Sequence, residues 1–143
     1  MVVLARQTNG DVTVSLADVA RRTDISRRYL EQLVIGLKRD GLLRGVSGRR
    51  GGYLLAKQPE EISIREIVEA AIGPINIVEC VLNPEECLKA DVCECRWVYE
   101  LLNDGIRDVL NSMNLEQLAS RNRARNLALG DVLDKDHCKA DKP

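Results

Sequence analysis

Hydrophobic positions along the first half of the chain recur at spacings of three and four residues, interrupted by short polar connections. Val2 to Ala5 reads as the end of a helix, and Asn9-Gly10-Asp11 as a turn. Ser15 is placed to cap a short helix with Leu16, Val19 and Ala20 at core spacing. Thr23-Asp24-Ile25 connects tightly to a second helix, capped by Ser26 and running to about Asp40. Its buried stripe is Leu30, Leu33, Val34 and Leu37, and Gly41 supplies a left-handed stop. Leu42 to Val46 and Tyr53 to Ala56 then read as two short strands. They flank Ser47-Gly48-Arg49-Arg50-Gly51-Gly52, a flexible basic loop with nothing to pack.

Beyond Pro59 the capping box Ser63-Ile64-Arg65-Glu66 opens a helix with Ile64, Ile67, Val68 and Ala71 on one face, closed by Gly73-Pro74. Residues 76–95 form a cysteine-bearing loop. From about Arg96 to Met113 a long amphipathic helix carries Val98, Leu101, Leu102, Gly105, Ile106, Val109, Leu110 and Met113. That stripe is longer than one small domain easily covers, and Gly105 permits close helix approach, so a dimer helix is expected. Leu115 to Gly130 adds a further short helix, and Asp131 to Pro143 a polar tail expected to be disordered. Two short helices followed by a basic hairpin describe a winged helix-turn-helix. The fold class expected is mostly α with a small β-hairpin. It divides into a DNA-binding domain over 1–75 (wing 42–56), a cysteine-rich loop over 76–96, a dimerisation region over 97–130 and the tail over 131–143.

Composition narrows this little. The 143 residues are 45% hydrophobic and 30% charged, with 3% aromatics and no Phe, so the core must be Leu, Ile, Val and Ala. The apolar runs are too short to span a bilayer and the N-terminus lacks a signal-peptide pattern, which makes a cytoplasmic protein the expectation.

Charge changes the picture more. The formal net charge is −1, yet Arg21 to Lys57 holds ten basic against three acidic residues, a segment of +7 within a chain whose remainder is −8. Such a block inside a structured half is the footprint of a surface that meets phosphates, and it points to double-stranded DNA. A recognition helix presents its N-terminal residues to base edges, which here are Arg27, Arg28, Tyr29, Glu31 and Gln32, with Lys38 further along. Arginine can pair with guanine, glutamine with adenine, and glutamate can accept from the cytosine amino group. Glu31 can equally serve as a partner for a neighbouring arginine. Arg49 and Arg50 at the wing tip suit the minor groove or backbone phosphates.

Cysteines stand at 80, 87, 93, 95 and 138, four of them within sixteen residues in the pattern C-x6-C-x5-C-x-C. In a reducing compartment this clustering favours metal or redox chemistry over disulfides. Zinc sites favour C-x2-C pairs, whereas wider spacings suit an iron–sulfur cluster, and redox-active thiols are a third use. Spacing alone leaves all three open. Glu79, Glu85, Glu86, Asp91 and Glu94 are expected to face solvent rather than ligate, and the lone His137 lies in the tail beside Cys138. A thiol enzyme built on Cys93-Glu94-Cys95 lacks a nearby histidine and a thioredoxin-like context, so no enzyme is expected.

The segments Ile25-Ser26, Tyr29-Leu30-Glu31-Gln32-Leu33, Gly41-Leu42-Leu43 and Gly51-Gly52-Tyr53-Leu54-Leu55-Ala56, followed by Cys80, Cys87 and Cys93, carry a resemblance. From about residue 4 to residue 118 the chain resembles the bacterial regulator family of IscR, NsrR and CymR (the Rrf-two family). The resemblance implies a winged-helix homodimer joined through the long helix and binding palindromic operators. IscR-like and NsrR-like members hold an iron–sulfur cluster through three loop cysteines, and CymR-like members lack it. By that resemblance Cys80, Cys87 and Cys93 are ligands, a [2Fe–2S] cluster is favoured over [4Fe–4S], and Arg28, Glu31 and Gln32 face the bases. A cluster-free or zinc-bound regulator answering to thiol redox state or a metabolite is the alternative.

Three departures stand out. Arg96 occupies the position of the histidine ligand of IscR-like members, which leaves Cys95, the partner subunit or a small thiol for the fourth ligand. Family members normally begin with further helix, the source of the non-cysteine ligand in NsrR-like members. The wing arginine of IscR-like members falls at Ser47, so any wing contact passes to Arg49 and Arg50.

Overall fold

Serine caps divide the first half of the chain. In the computed structural model, which describes residues 1–7, 12–89 and 92–120, the short α1 (Val2–Ala5) precedes α2 (Leu16–Thr23) and α3 (Arg27–Arg39). Ser15 Oγ accepts from the Asp18 N–H at 3.1 Å and Ser26 Oγ from the Tyr29 N–H at 3.3 Å. Each cap satisfies a donor that the helix itself leaves unpaired. Between the helices Asp24 adopts φ 55°, a left-handed value that aspartate tolerates better than most residues. Gly41, at φ 70°, ends α3, and the Leu42 N–H reaches back to the Leu37 carbonyl at 2.9 Å.

The hairpin pairs β1 (Leu43–Val46) antiparallel with β2 (Gly52–Leu55), Leu43 opposite Leu55 and Val46 opposite Gly52. Val14 adds a bridge to Tyr53 with hydrogen bonds of 3.0 and 2.9 Å. Gly52 is required there, because a Cβ would lie 2.7 Å from the Val14 carbonyl oxygen. A 3-10 turn, Pro59–Glu61, leads to α4 (Ile64–Ile72), opened by the reciprocal capping box of Ser63 and Glu66. α5 (Glu79–Leu82) and a second 3-10 turn, Pro84–Glu86, follow, then α6 (Glu94–Asn111).

One apolar core links these parts: Leu4, Val14, Val19, Leu30, Val34, Leu37, Leu42, Leu43, Ile62, Ala70 and Leu115. Leu33, expected in the buried stripe, is half-buried and lines an apolar cavity of about 440 Å³ between α1, α2, α3 and α4. On α4 the fully packed residue is Ala70, with Ile64, Ile67, Val68 and Ala71 half-buried around it. The reason is the crossing with α3, where the backbones approach so closely that a Cβ on Gly36 would stand 1.9 Å from the Ala70 carbonyl oxygen.

After α6 the chain doubles back. Ile64 N–H donates to Met113 O and Leu115 N–H to Ile62 O, both at 2.9 Å, and helix resumes over 115–120. The C-terminal end of α6 is thereby tied to the start of α4. The expected turn at Asn9-Gly10-Asp11, the continuation to Gly130, and the tail with His137 and Cys138 lie outside the described residues.

Candidate nucleic-acid interface and cysteine loop

All ten basic residues of the 21–57 segment are exposed. Four have acidic partners: Arg21 with Asp18, Arg27 with Glu31, Arg39 with Asp40 and Lys57 with Glu66. Among the described residues, Arg28, Lys38, Arg44, Arg49 and Arg50 have no ion pair. Arg28 stands in the first turn of α3, Lys38 in its last, Arg44 on β1, and Arg49 and Arg50 in the wing loop. Lys38 reaches toward the hairpin, its Nζ 3.8 Å from where a Cβ on Gly45 would be. Helix α3 and the wing thus share a surface whose positive charge is not neutralised from within, the electrostatic requirement for meeting phosphates. Arg44 was not among the residues expected from the sequence, although its outward place on an alternating strand is a usable signal.

Tyr29 is about half exposed, and Glu31 and Gln32 are exposed. Glu31 takes the i, i+4 role in this structure: Arg27 Nε donates to its Oε1 at 2.9 Å. At exposed positions such a pair is worth only a few tenths of a kcal/mol, so it is easily exchanged for another contact. The wing loop has a firm backbone beneath free side chains. Gly51 N–H donates to Gly48 O at 2.9 Å, and Thr13 Oγ1 donates to the Arg50 carbonyl at 2.6 Å.

The cysteine loop is more helical than its composition suggests. Cys80 lies in α5, Cys87 ends the second 3-10 turn, and Cys93 is the N-cap residue of α6 with no side-chain hydrogen bond. Because α6 starts at Glu94, earlier than periodicity indicated, Cys95 and Arg96 belong to its first turn. Cys80, Cys87 and Cys93 are half-buried, Cys95 is exposed, and all four are free thiols. Glu79, Glu85, Glu86 and Glu94 are exposed; Asp91 is outside the described residues. Glu79 braces the loop by accepting from Asn76 at 3.2 Å and Asn83 at 2.6 Å. In donor chemistry the three half-buried thiols suit iron or zinc. Among the described residues, no three His, Cys, Asp or Glu side chains are grouped to hold a single metal ion. Arg96 donates to Glu100 at 2.9 Å, and a guanidinium has no lone pair to offer a metal.

Helix α6 is polar toward its own subunit and apolar toward solvent. Arg96, Tyr99, Glu100 and Arg107 are half-buried and Asn103 is fully buried. Trp97, Val98, Leu101, Leu102, Ile106 and Val109 are exposed, Val109 by 59%. Leu101, Leu102, Gly105, Ile106, Val109 and Leu110 line a groove of about 390 Å³. No helix among the described residues is long and apolar enough to cross a membrane.

A helix-turn-helix followed by a wing, with free cations on both, defines a winged-helix DNA-binding protein of the transcription-regulator class. The comparisons with known proteins agree. The Rrf2 family model, an iron-dependent transcriptional regulator, matches residues 1–121, and the chain belongs to that family. It is 38% identical over 120 residues to the HTH-type transcriptional regulator CymR of Bacillus subtilis, spanning 84% of this chain and 81% of that one. With the regulator IscR of Pectobacterium atrosepticum it shares 36% identity over 115 residues, 80% of this chain and 70% of that one. The solved structure of CymR, the global cysteine regulator of B. subtilis, superposes with a TM-score of 0.66 at 34% identity, covering 84% and 87% of the two chains. These relatives are all named as regulators.

Proposed function

We propose that this regulator binds palindromic operators as a cytoplasmic homodimer and that the state of an iron–sulfur cluster at Cys80, Cys87 and Cys93 sets its affinity for DNA. The observation that carries the reading is the position of the thiols. All three are half-buried in the segment between α4 and the first turn of α6, the helix whose outward face is apolar and open. Closing α6 against its copy would bury that face, and the two copies of α3 would then be held at one spacing, as a two-fold operator demands. Arg28, Glu31 and Gln32 read bases, with Arg27, Tyr29 and Lys38 beside them, and Arg49 and Arg50 take the minor groove or phosphates.

A cluster of the [2Fe–2S] type supplies one-electron redox chemistry and lability toward oxidants. Cys93, as the N-cap of α6, would carry a change in the loop directly to the dimer helix, and Cys95 in the same turn is the candidate for the fourth position. The family's description as iron-dependent supports this reading. Its test is anaerobic purification with iron and sulfide counts, Mössbauer spectroscopy and DNA titration. Visible absorbance that disappears in Cys87→Ala supports it; a colourless, iron-free protein under those conditions refutes it.

A second reading has a specific observation behind it. The solved structure of CymR, similar over 84% of this chain, bears the name of a cysteine regulator. In that case the loop is cluster-free or holds zinc, and DNA affinity follows thiol redox state or a metabolite. Metal analysis together with DNA titration in oxidised and reduced buffer separates the two.

A further inference from the structure

The outward stripe of α3 places one apolar residue among its polar and basic ones. Arg28, Gln32, Ile35 and Arg39 follow one another at four, three and four residues and so share a face. Ile35 is 70% exposed at its centre. Every neighbour within reach on its own helix is polar: Glu31, Gln32, Lys38 and Arg39. The face opposite carries the core residues Leu30, Val34 and Leu37, while Gly36 meets α4 on a different side. Ile35 therefore has no apolar neighbour on its own face of α3. A β-branched residue is also a poorer helix former than the lysine or glutamine that a solvated position would take. Arg28 and Gln32 beside it make no side-chain hydrogen bond or ion pair among the described residues.

Resting on the reading of α3 as the helix that enters the major groove, we infer that Ile35 is a specificity residue, packed against the 5-methyl group of a thymine in the operator. The thymine methyl is the one apolar feature that the major groove offers, and it is read by apolar side chains. Seven residues of helix separate Ile35 from Arg28, about 10 Å along the axis at about 1.5 Å per residue. Because a helix in the major groove lies across the duplex axis, that length covers at most about three steps of about 3.4 Å each. The operator half-site thus has its guanine-type contact near Arg28 and a thymine within about three base pairs of it.

The test uses the full chain and a duplex it selects from a random-sequence pool. Each thymine of that duplex is replaced in turn by deoxyuridine, which differs only in the missing methyl. Wild type should lose about fourfold in affinity per half-site at one symmetric position, the factor that burying a methyl group supplies. Ile35→Ala should start about that much weaker and be indifferent to deoxyuridine there, while Ile35→Val keeps the sensitivity. Both variants alter an exposed position, and unchanged circular dichroism confirms that α3 is intact. Identical responses of wild type and Ile35→Ala at every thymine overturn the inference and leave the DNA reading standing. Failure of wild type to select or bind any duplex overturns both.

Discussion

Replacing Gly36 by alanine sets two magnitudes against each other. In an isolated helix the change is favourable by about 1 kcal/mol, because alanine loses less backbone freedom. In this fold the added Cβ would stand 1.9 Å from the Ala70 carbonyl oxygen and 3.1 Å from its carbon. Carbon and oxygen at helix contacts settle near 3.3 Å, so α3 and α4 would have to part by about 1.4 Å. The obstacle is backbone inside a regular helix, and no rotamer relieves it. Overpacking of this kind costs about 1–3 kcal/mol, and the opposing atom puts the cost at the upper end. The expected net result is a loss of about 1–2 kcal/mol, read as a melting temperature roughly 3–8 °C lower. A second consequence is functional: α3 is displaced relative to the wing, so affinity for a selected operator falls more than affinity for random duplex. Thermal denaturation with paired DNA titrations measures both. A variant that melts at or above wild type would show that the close crossing does not exist and that helix propensity alone governs the site.

Other consequences follow from the same geometry. Arg49→Ala combined with Arg50→Ala should weaken operator and scrambled duplex alike and reduce the slope of log affinity against log salt by about two, as fluorescence anisotropy across a salt series reports. Glu31→Ala frees Arg27 and removes an acceptor, so the selected sequence should change; equal losses on operator and scrambled duplex would remove the reader role. Leu102→Glu places a charge in the open face of α6 and should convert the proposed dimer to a monomer in sedimentation without loss of helix, since Leu102 is about half exposed within the subunit. Burial alone would raise the Glu66 pKa. The Ser63 N–H, the Lys57 ammonium and the Ser63 hydroxyl outweigh that, holding the carboxyl below its ordinary value of 4.5. A depressed folded value gives stability that is present above the ordinary value and is lost as pH falls through the folded one. Glu66→Ala should therefore cost about 0.5–1 kcal/mol near neutral pH, towards the low end because the side chain is 41% exposed, and melt with wild type in acid well below pH 4.5.

Much of the domain that carries the DNA surface was legible in the chain itself. Ser15, Ser26 and Ser63 each cap the helix their position implies, Gly41 ends α3 with positive φ, and the hairpin forms where the strands and basic loop indicate. These features are governed by interactions among residues a few positions apart, so short windows of sequence contain the cause. The outward lie of Arg28, Glu31 and Gln32 was legible for the same reason, because one apolar stripe on a helix determines the opposite face.

What the tertiary structure decided involves residues distant in the chain. Which glycine meets a neighbouring backbone depends on where α4 crosses α3, and no local pattern marks Gly36 for that contact. The polar inner side of α6 is of the same kind: periodicity located the apolar stripe, but only the packing against α4 and α5 shows that it points away from its own subunit. Which of the basic residues are neutralised, and that Arg44 is not, depends on side chains meeting across elements. The cysteines show the boundary most clearly. Their number and spacing are written in the chain, and soft thiolate chemistry follows from that alone. Whether Cys80, Cys87 and Cys93 converge is a matter of how α5, the second 3-10 turn and the start of α6 are set in space, because ligation acts over a few ångströms between groups that the sequence separates by six and five residues.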